Sequence, residues 1–251
     1  MLGHLLQDAP RFFNYYTGMF LLEAMGRTLG LTLLGCGVGF VFGLLIAALR
    51  LTRSPWLLLF RVIAIGYVEV FRRIPFLVIL FIVVFAVQAV SNDVSLFAIA
   101  LVAICLVSTA FMSEIIRAGL ESVPRLQVEA AEVLNFGFWR TLTTVLLPQA
   151  WRVILPPGFA FIVMFIKDTS LASQMGVLEL TFTGKVLMNR GFSPFLVYGA
   201  VLGCYFILSY PLSRLGAYLE VRLASPRSRG SLKFLWAGPG PAEHSAVGGP
   251  G

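Results

Sequence analysis

Long uncharged apolar runs, separated by short charged segments, set the pattern of this chain. The first run, Leu29 to Leu49, carries no charge. At about 1.5 Å of rise per residue, a helix of that length crosses a hydrocarbon core of roughly 30 Å. It ends at Arg50 and Arg53, with Pro55 behind them. Within it Gly35, Gly39, Gly43 and Ala47 recur at every fourth position, which puts small residues on one face where another helix can come close. Packing inside the chain is the expected use of that face, ahead of a seam between two copies. Residues 12–25 are rich in Phe and Tyr, and suit either an interfacial helix or an extension of this first span.

The stretch from Pro55 to Val90 is less regular. Phe76 to Val90 is uncharged but too short to cross alone, and Arg61, Glu69, Arg72 and Arg73 precede it without a turn cluster. The pattern predicts one long tilted helix, kinked at Pro75, with Arg72 and Arg73 snorkelling to the interface. Leu96 to Met112 is a third span, after which Glu114 and Arg117 have the spacing of a structural pair on one helix face. The fourth is expected from about Ile154 to Leu178, opening with Pro156 and Pro157, and the fifth from Phe195 to about Leu212. Beyond Leu223 the composition turns to Arg, Ser, Pro and Gly, so residues 224–251 are expected to be a disordered tail behind a membrane domain of residues 1–223. The fold class predicted is an all-α integral membrane protein, a bundle of about five transmembrane helices.

Composition agrees, with 58% hydrophobic and 12% charged residues, against about 45–50% and 25% in soluble domains. The net charge of +7 raises nucleic acid as a partner, but the charges lie between apolar runs and form no basic stripe. Five spans put the termini on opposite sides. With the N-terminus outside, Arg50, Arg53, Arg61, Arg72, Arg73, Arg117, Arg125, Arg140, Arg152 and the basic residues from Arg214 onward are cytoplasmic. Arg11, Arg27, Lys185 and Arg190 are then external, a strong positive-inside bias. The N-terminus lacks the basic start and early apolar run of a cleaved signal. Cys36, Cys105 and Cys204 lie inside apolar runs as small buried residues, and the histidines, His4 and His244, are near opposite ends, which leaves little material for a metal site or histidine-based catalysis.

The loop between spans three and four, about residues 121–150, is the informative one. Ser122 is a plausible N-cap and Pro124 suits a first turn. Leu126, Ala130, Val133 and Leu134 then form an apolar helix face, with Arg125, Glu129 and Glu132 beside it. Such a helix can lie on lipid, pack on its own bundle or dock into a partner. A turn and a second helix follow. From Glu129 to Pro148 this segment resembles the cytoplasmic loop of ABC importer permeases: Glu-Ala-Ala, three residues, Gly, nine residues, Ile-x-Leu-Pro. Glu129, Ala130 and Ala131 open it; Val145, Leu147 and Pro148 close it. Asn135 stands at the glycine position, and Asn is the usual non-glycine residue in a left-handed turn. Tyr67 to Phe81, Ser113 to Ala131, Leu147 to Pro157 and Phe165 to Leu180 are similar to the polar amino-acid branch of these permeases, with Leu126 departing where the branch has Gly.

The resemblance implies a permease subunit of an importer in the bacterial cytoplasmic (inner) membrane, with a coupling helix in that loop. Two such subunits, identical or paired, would form the pathway; two ATPase subunits would grip the Glu129–Pro148 loops; an extracytoplasmic solute-binding protein would deliver the amino acid. Glu129, Ala130, Ala131, Asn135, Leu147 and Pro148 are the expected ATPase-coupling residues. The chain has no phosphate-cradling motif, since Gly184-Lys185 lacks the preceding glycine and is followed by Val186. No cofactor of its own and no catalytic residue are therefore expected, ATP being bound by the partner. Lys167 and Asp168, near mid-bilayer, are costly there and need partners. With Thr169 and Ser170 they line or gate a path for a zwitterionic amino acid, or form a structural ion pair between helices. A gradient-driven secondary transporter is the alternative, although no repeat is apparent.

Overall fold

The structure, a computed structural model, describes residues 10–52, 54–91 and 93–223. The expected disordered tail and both histidines lie outside them. The described residues form helices and connecting turns. Asn14 caps the first helix, its side chain accepting the Thr17 amide at 2.8 Å. Helix α1 (Tyr15–Leu51) then runs unbroken, so residues 15–25 extend the first span instead of forming a separate interfacial helix. Helices α2 (Leu58–Arg73), α3 (Phe76–Val90) and α4 (Leu96–Glu121) follow, then α5 (Arg125–Val133) and α6 (Phe138–Thr141) of the loop. Helix α7 (Leu147–Asp168), α8 (Leu180–Asn189) and α9 (Pro194–Leu223) complete the order. Helices α1, α4, α9 and the run Phe138–Met175 are long and apolar enough to cross a membrane, and α2 with α3 counts as a fifth crossing if the bent pair is one span.

Helices α1 and α4 form the main seam. Gly35, Gly39 and Gly43 are buried, facing Ile104, Ser108 and Met112 in turn, so the two helices run parallel. The Ser108 hydroxyl donates to the Gly35 carbonyl at 2.7 Å across the seam, which only small residues on α1 permit. The glycine face thus serves packing inside the chain, as expected.

The single kinked helix predicted for 55–90 is not what forms. The axes of α2 and α3 turn through 113° at Ile74–Pro75. Ile74 is extended (φ −90°, ψ 134°) because the following proline ring disfavours the helical region, and Pro75 is extended too (ψ 137°). Two consecutive non-helical residues make a break, where a proline within continuous helix makes a kink. Phe76, just past the break, packs on Phe165 of α7 with ring centroids 5.2 Å apart. Arg72 reaches inward, its guanidinium 5.7 Å from the Phe111 ring centroid, while Arg73 is exposed and pairs with Glu69 at 2.6 Å.

Other boundaries shift for local reasons. Helix α4 extends to Glu121 because Glu114, Arg117 and Glu121 pair along its last turns. Ser122, expected to cap the loop helix, instead ends α4: its φ and ψ are helical and its hydroxyl donates to the Gly119 carbonyl at 2.6 Å. Pro124 becomes the residue before α5. The fourth span starts at Leu147, upstream of the expected Ile154, and carries Pro156 and Pro157 within it. Cys36 is buried, whereas Cys105 and Cys204 are half-buried.

Candidate functional site

The loop folds as a helix, a tight reversal and a second helix. Helix α5 ends in a Schellman motif: the Asn135 amide donates to the Glu132 carbonyl and the Phe136 amide to the Ala131 carbonyl, both at 2.9 Å. Asn135 has φ 55°, the left-handed turn residue expected there. Arg140 lies over the Phe136 ring at 4.2 Å and braces the turn. Past α6, residues Leu142–Leu146 widen into a π-helical turn before α7. Pro148 explains the site of that widening, since it has no amide to return to Thr144 in the ordinary α-helical pattern.

The exposure of α5 narrows its roles. Ala131 is buried against the body of the protein, while Glu129 and Ala130 are exposed. Leu126, Val133 and Leu134 are 75%, 83% and 67% exposed, so the apolar face points away from the bundle. Packing on its own bundle, one of the three roles open to this helix, is therefore not what the helix does. Leu147 is half-buried and Pro148 exposed.

Lys167 and Asp168 lie at the other end of α7, about 30 Å of helix from Pro148. The chain tightens there into a 3-10 turn, Thr169–Met175, closed by Gly176 with φ 82°. Thr169 is buried and its hydroxyl donates back to the Ile166 carbonyl at 2.6 Å. Lys167 is exposed, and Asp168 and Ser170 are half-buried. Among the described residues, neither Lys167 nor Asp168 forms an ion pair. The two groups of candidate residues thus share one helical run, Phe138–Asp168, but are not brought together.

Two further charge clusters emerge from the packing. Glu114 takes Arg117 on one oxygen and Arg50 on the other, at 2.8 Å, with Arg72 at 3.7 Å. The Glu114–Arg117 spacing was legible, but the partners on α1 and α2 come from the tertiary fold. Glu179 is fully buried between the membrane runs and was not singled out from sequence. Its Oε1 caps α8 by accepting the Phe182 amide at 2.8 Å, and its Oε2 accepts the Tyr205 hydroxyl at 2.8 Å. Thr181 in turn lies 2.9 Å from the Tyr205 hydroxyl. A lone acid between two apolar runs, three residues before an amide it can cap, was the available signal.

Burial pushes the Glu179 carboxyl above the usual carboxylate range, with its hydrogen bonds and Lys185 opposing in part. A carboxyl with a raised folded pKa costs stability as it ionises, so stability falls as pH rises from the unfolded value, about 4.3, through the folded one. Glu179→Gln, which keeps an oxygen for the Phe182 amide, is expected to flatten that fall in a plot of Tm against pH. Parallel curves for the two proteins would show that the carboxyl carries no such linkage.

A family model described as "Binding-protein-dependent transport system inner membrane component" matches residues 39–225. The sequence is 32% identical over 208 residues to a probable glutamine ABC transporter permease protein of Bacillus subtilis (strain 168), covering 81% of this chain and 93% of that one. It is 34% identical over 205 residues to the glutamine transport system permease protein of Escherichia coli (strain K12), covering 81% and 92%. An L-cystine transport system permease protein of Bacillus subtilis is 36% identical over 198 residues, covering 78% and 83%. Among solved structures, a crystal structure of an amino acid ABC transporter with histidines matches with a TM-score of 0.75 at 27% identity, over 87% of this chain and 98% of the other. A methionine ABC transporter in an inward-facing conformation shares the fold, with a TM-score of 0.73 at 21% identity over 85% and 100%.

Proposed function

Since the chain belongs to the family of binding-protein-dependent transport system inner membrane components, we propose that it is the permease subunit of an ATP-driven importer for polar amino acids. The observation that carries the coupling part of this reading is the outward-facing loop helix α5. Its apolar residues and Glu129 are exposed on a short helix that is closed by the Asn135 turn and seated by the buried Ala131. That is the shape of an element offered to a groove in another protein. A separate ATPase subunit supplies the groove and binds ATP; the chain itself forms the membrane pathway. Similarity to glutamine, L-cystine and other amino-acid permeases supports a polar amino acid as cargo.

In this reading two permease subunits, two ATPases and an extracytoplasmic binding protein make up the transporter. The basic residues around Arg50, Arg72, Arg73, Arg117 and Arg140 support an external N-terminus and a cytoplasmic loop. Glu129, Ala130, Asn135 and Pro148 present or shape the coupling surface, with Ala131 and Leu147 seating it on the bundle. The helical run Phe138–Asp168 then joins the coupling surface to the membrane interior as one lever. A tilt at the loop reaches Lys167, Asp168, Thr169 and Ser170, which receive the zwitterion: the ammonium of Lys167 faces its carboxylate and Asp168 its ammonium group. Charges at the end of a membrane run are retained where they meet a cavity or a partner.

The test is ATP hydrolysis by the chain co-purified with its transporter subunits in nanodiscs, with binding protein and single amino acids added. Hydrolysis stimulated by one class of amino acid through the binding protein is the expected result and identifies the cargo. Uptake by the purified chain alone under an ion gradient, without hydrolysis, would overturn the reading in favour of a secondary transporter.

A further inference from the structure

An apolar groove of about 320 Å³ opens between α1 and α7, on a surface that the coupling and pathway residues do not use. Leu33, Cys36, Phe40, Leu155, Phe159 and Ile162 line it, and Gly37 and Gly158 form part of its floor. A Cβ at Gly37 or Gly158 would meet nothing within 4 Å. Glycine weakens a helix interior, and here no close approach within the chain offsets that. The floor is low for something that is not part of this chain. Gly158 and Lys167 are about two and a half turns apart, hence on opposite sides of α7. The groove is therefore separate from the charged helix end.

Beyond the end of the groove nearest the loop, and outside its lining, stand two residues suited to a headgroup region. Trp151 meets Phe40 edge-on, with centroids 5.6 Å apart, and tryptophan favours the membrane–water boundary. Arg152 follows it, one turn below Leu155 and two below Phe159 on the same face of α7. Arg152 is exposed and is the last charge before the uncharged run Val153–Ile166. Among the described residues it forms no ion pair, and no acidic side chain lines the groove. A guanidinium left free on the helix face that leads into an apolar groove suits a phosphate above an acyl chain.

We propose that the α1–α7 groove is a binding site for an anionic phospholipid, with one acyl chain over Gly37 and Gly158 and the phosphate on Arg152. In the orientation proposed above, this lipid belongs to the cytoplasmic leaflet. The site itself does not depend on which cargo the transporter carries.

The experiment uses the assembled transporter in nanodiscs containing phosphatidylglycerol or phosphatidylcholine with a photoactivatable acyl chain, and maps adducts by peptide mass spectrometry. Adducts are expected on the peptides around Leu33–Phe40 and Leu155–Ile162, at about fivefold higher yield from phosphatidylglycerol. Arg152→Gln should bring the two lipids to equal yield, Arg152→Lys should keep the preference, and Gly158→Leu should lower labelling by both. Gel filtration of each variant establishes that it still assembles. Equal yields in the unaltered protein would overturn the site, leaving ordinary surrounding lipid only. Groove peptides unlabelled by either lipid, while the exposed α9 face at Phe206 and Ile207 is labelled, would also overturn it, showing that a protein segment covers the groove. Transport is not the readout, so failure of the importer reading would not produce either result.

Discussion

Glu129→Ala is expected to abolish the stimulation of ATP hydrolysis by loaded binding protein while the chain still folds and inserts. Glu129 is exposed on α5 and forms no ion pair among the described residues. Nothing in the bundle is lost when its carboxylate is removed. If the ATPase grips this face, the carboxylate is buried against that partner only in the assembled transporter. Truncating one member of a buried, hydrogen-bonded charge pair at an interface costs about 2–5 kcal/mol. At about 1.4 kcal/mol per tenfold, the stimulated rate should fall by more than an order of magnitude. The same substitution separates two roles that exposure alone leaves together. A helix lying on lipid would lose only a charge facing the headgroups, and hydrolysis would continue. Stimulation retained above half of the original rate would therefore remove α5 from the coupling interface.

What could be read from the sequence followed the range of the interactions concerned. The apolar cores of α1 and α4 and the glycine face at Gly35, Gly39 and Gly43 are properties of period and length and formed where expected, although α1 begins at Tyr15 and α4 runs on to Glu121. Asn135 was legible because a left-handed residue is a local requirement of the turn. Ile74 and Pro75 were misjudged because a proline gives the same local signal in a kink and in a break. What decides between them is whether the residues on both sides find packing partners, as Phe76 does on Phe165 and Arg72 on Phe111. Ser122 was misplaced for a similar reason: its hydroxyl can cap a following helix or close a preceding one, and the charge pairs of Arg117 extended α4 far enough to use it. The partners Arg50 for Glu114 and Tyr205 for Glu179 are remote in sequence, so no spacing rule reveals them. The direction of the α5 apolar face was equally hidden, since periodicity gives a face but not what the face meets.

The seam of α1 and α4 gives the largest expected effect on stability. An added Cβ at Gly39 would lie 2.7 Å from the Ser108 Cβ and 2.8 Å from the Ser108 carbonyl carbon. The second of these is backbone, which cannot rotate away as a side-chain end can. The helices would have to separate, breaking the 2.7 Å hydrogen bond from Ser108 to the Gly35 carbonyl and loosening the contacts at Gly35 and Gly43 together. Gly39→Ala is expected to cost about 1–3 kcal/mol, as overpacking of a tight interior does. Gly39→Leu should exceed that range and leave little monodisperse protein, because a total stability of about 5–15 kcal/mol tolerates few such losses. Gly37→Ala is the matched control on the same helix, since its Cβ meets nothing within 4 Å. It should be neutral, or slightly stabilising through helix propensity. Thermal melts followed by fluorescence-detected gel filtration would rank the three. If Gly39→Leu and Gly37→Ala melt together, the parallel seam described for α1 and α4 is not the contact that holds the bundle.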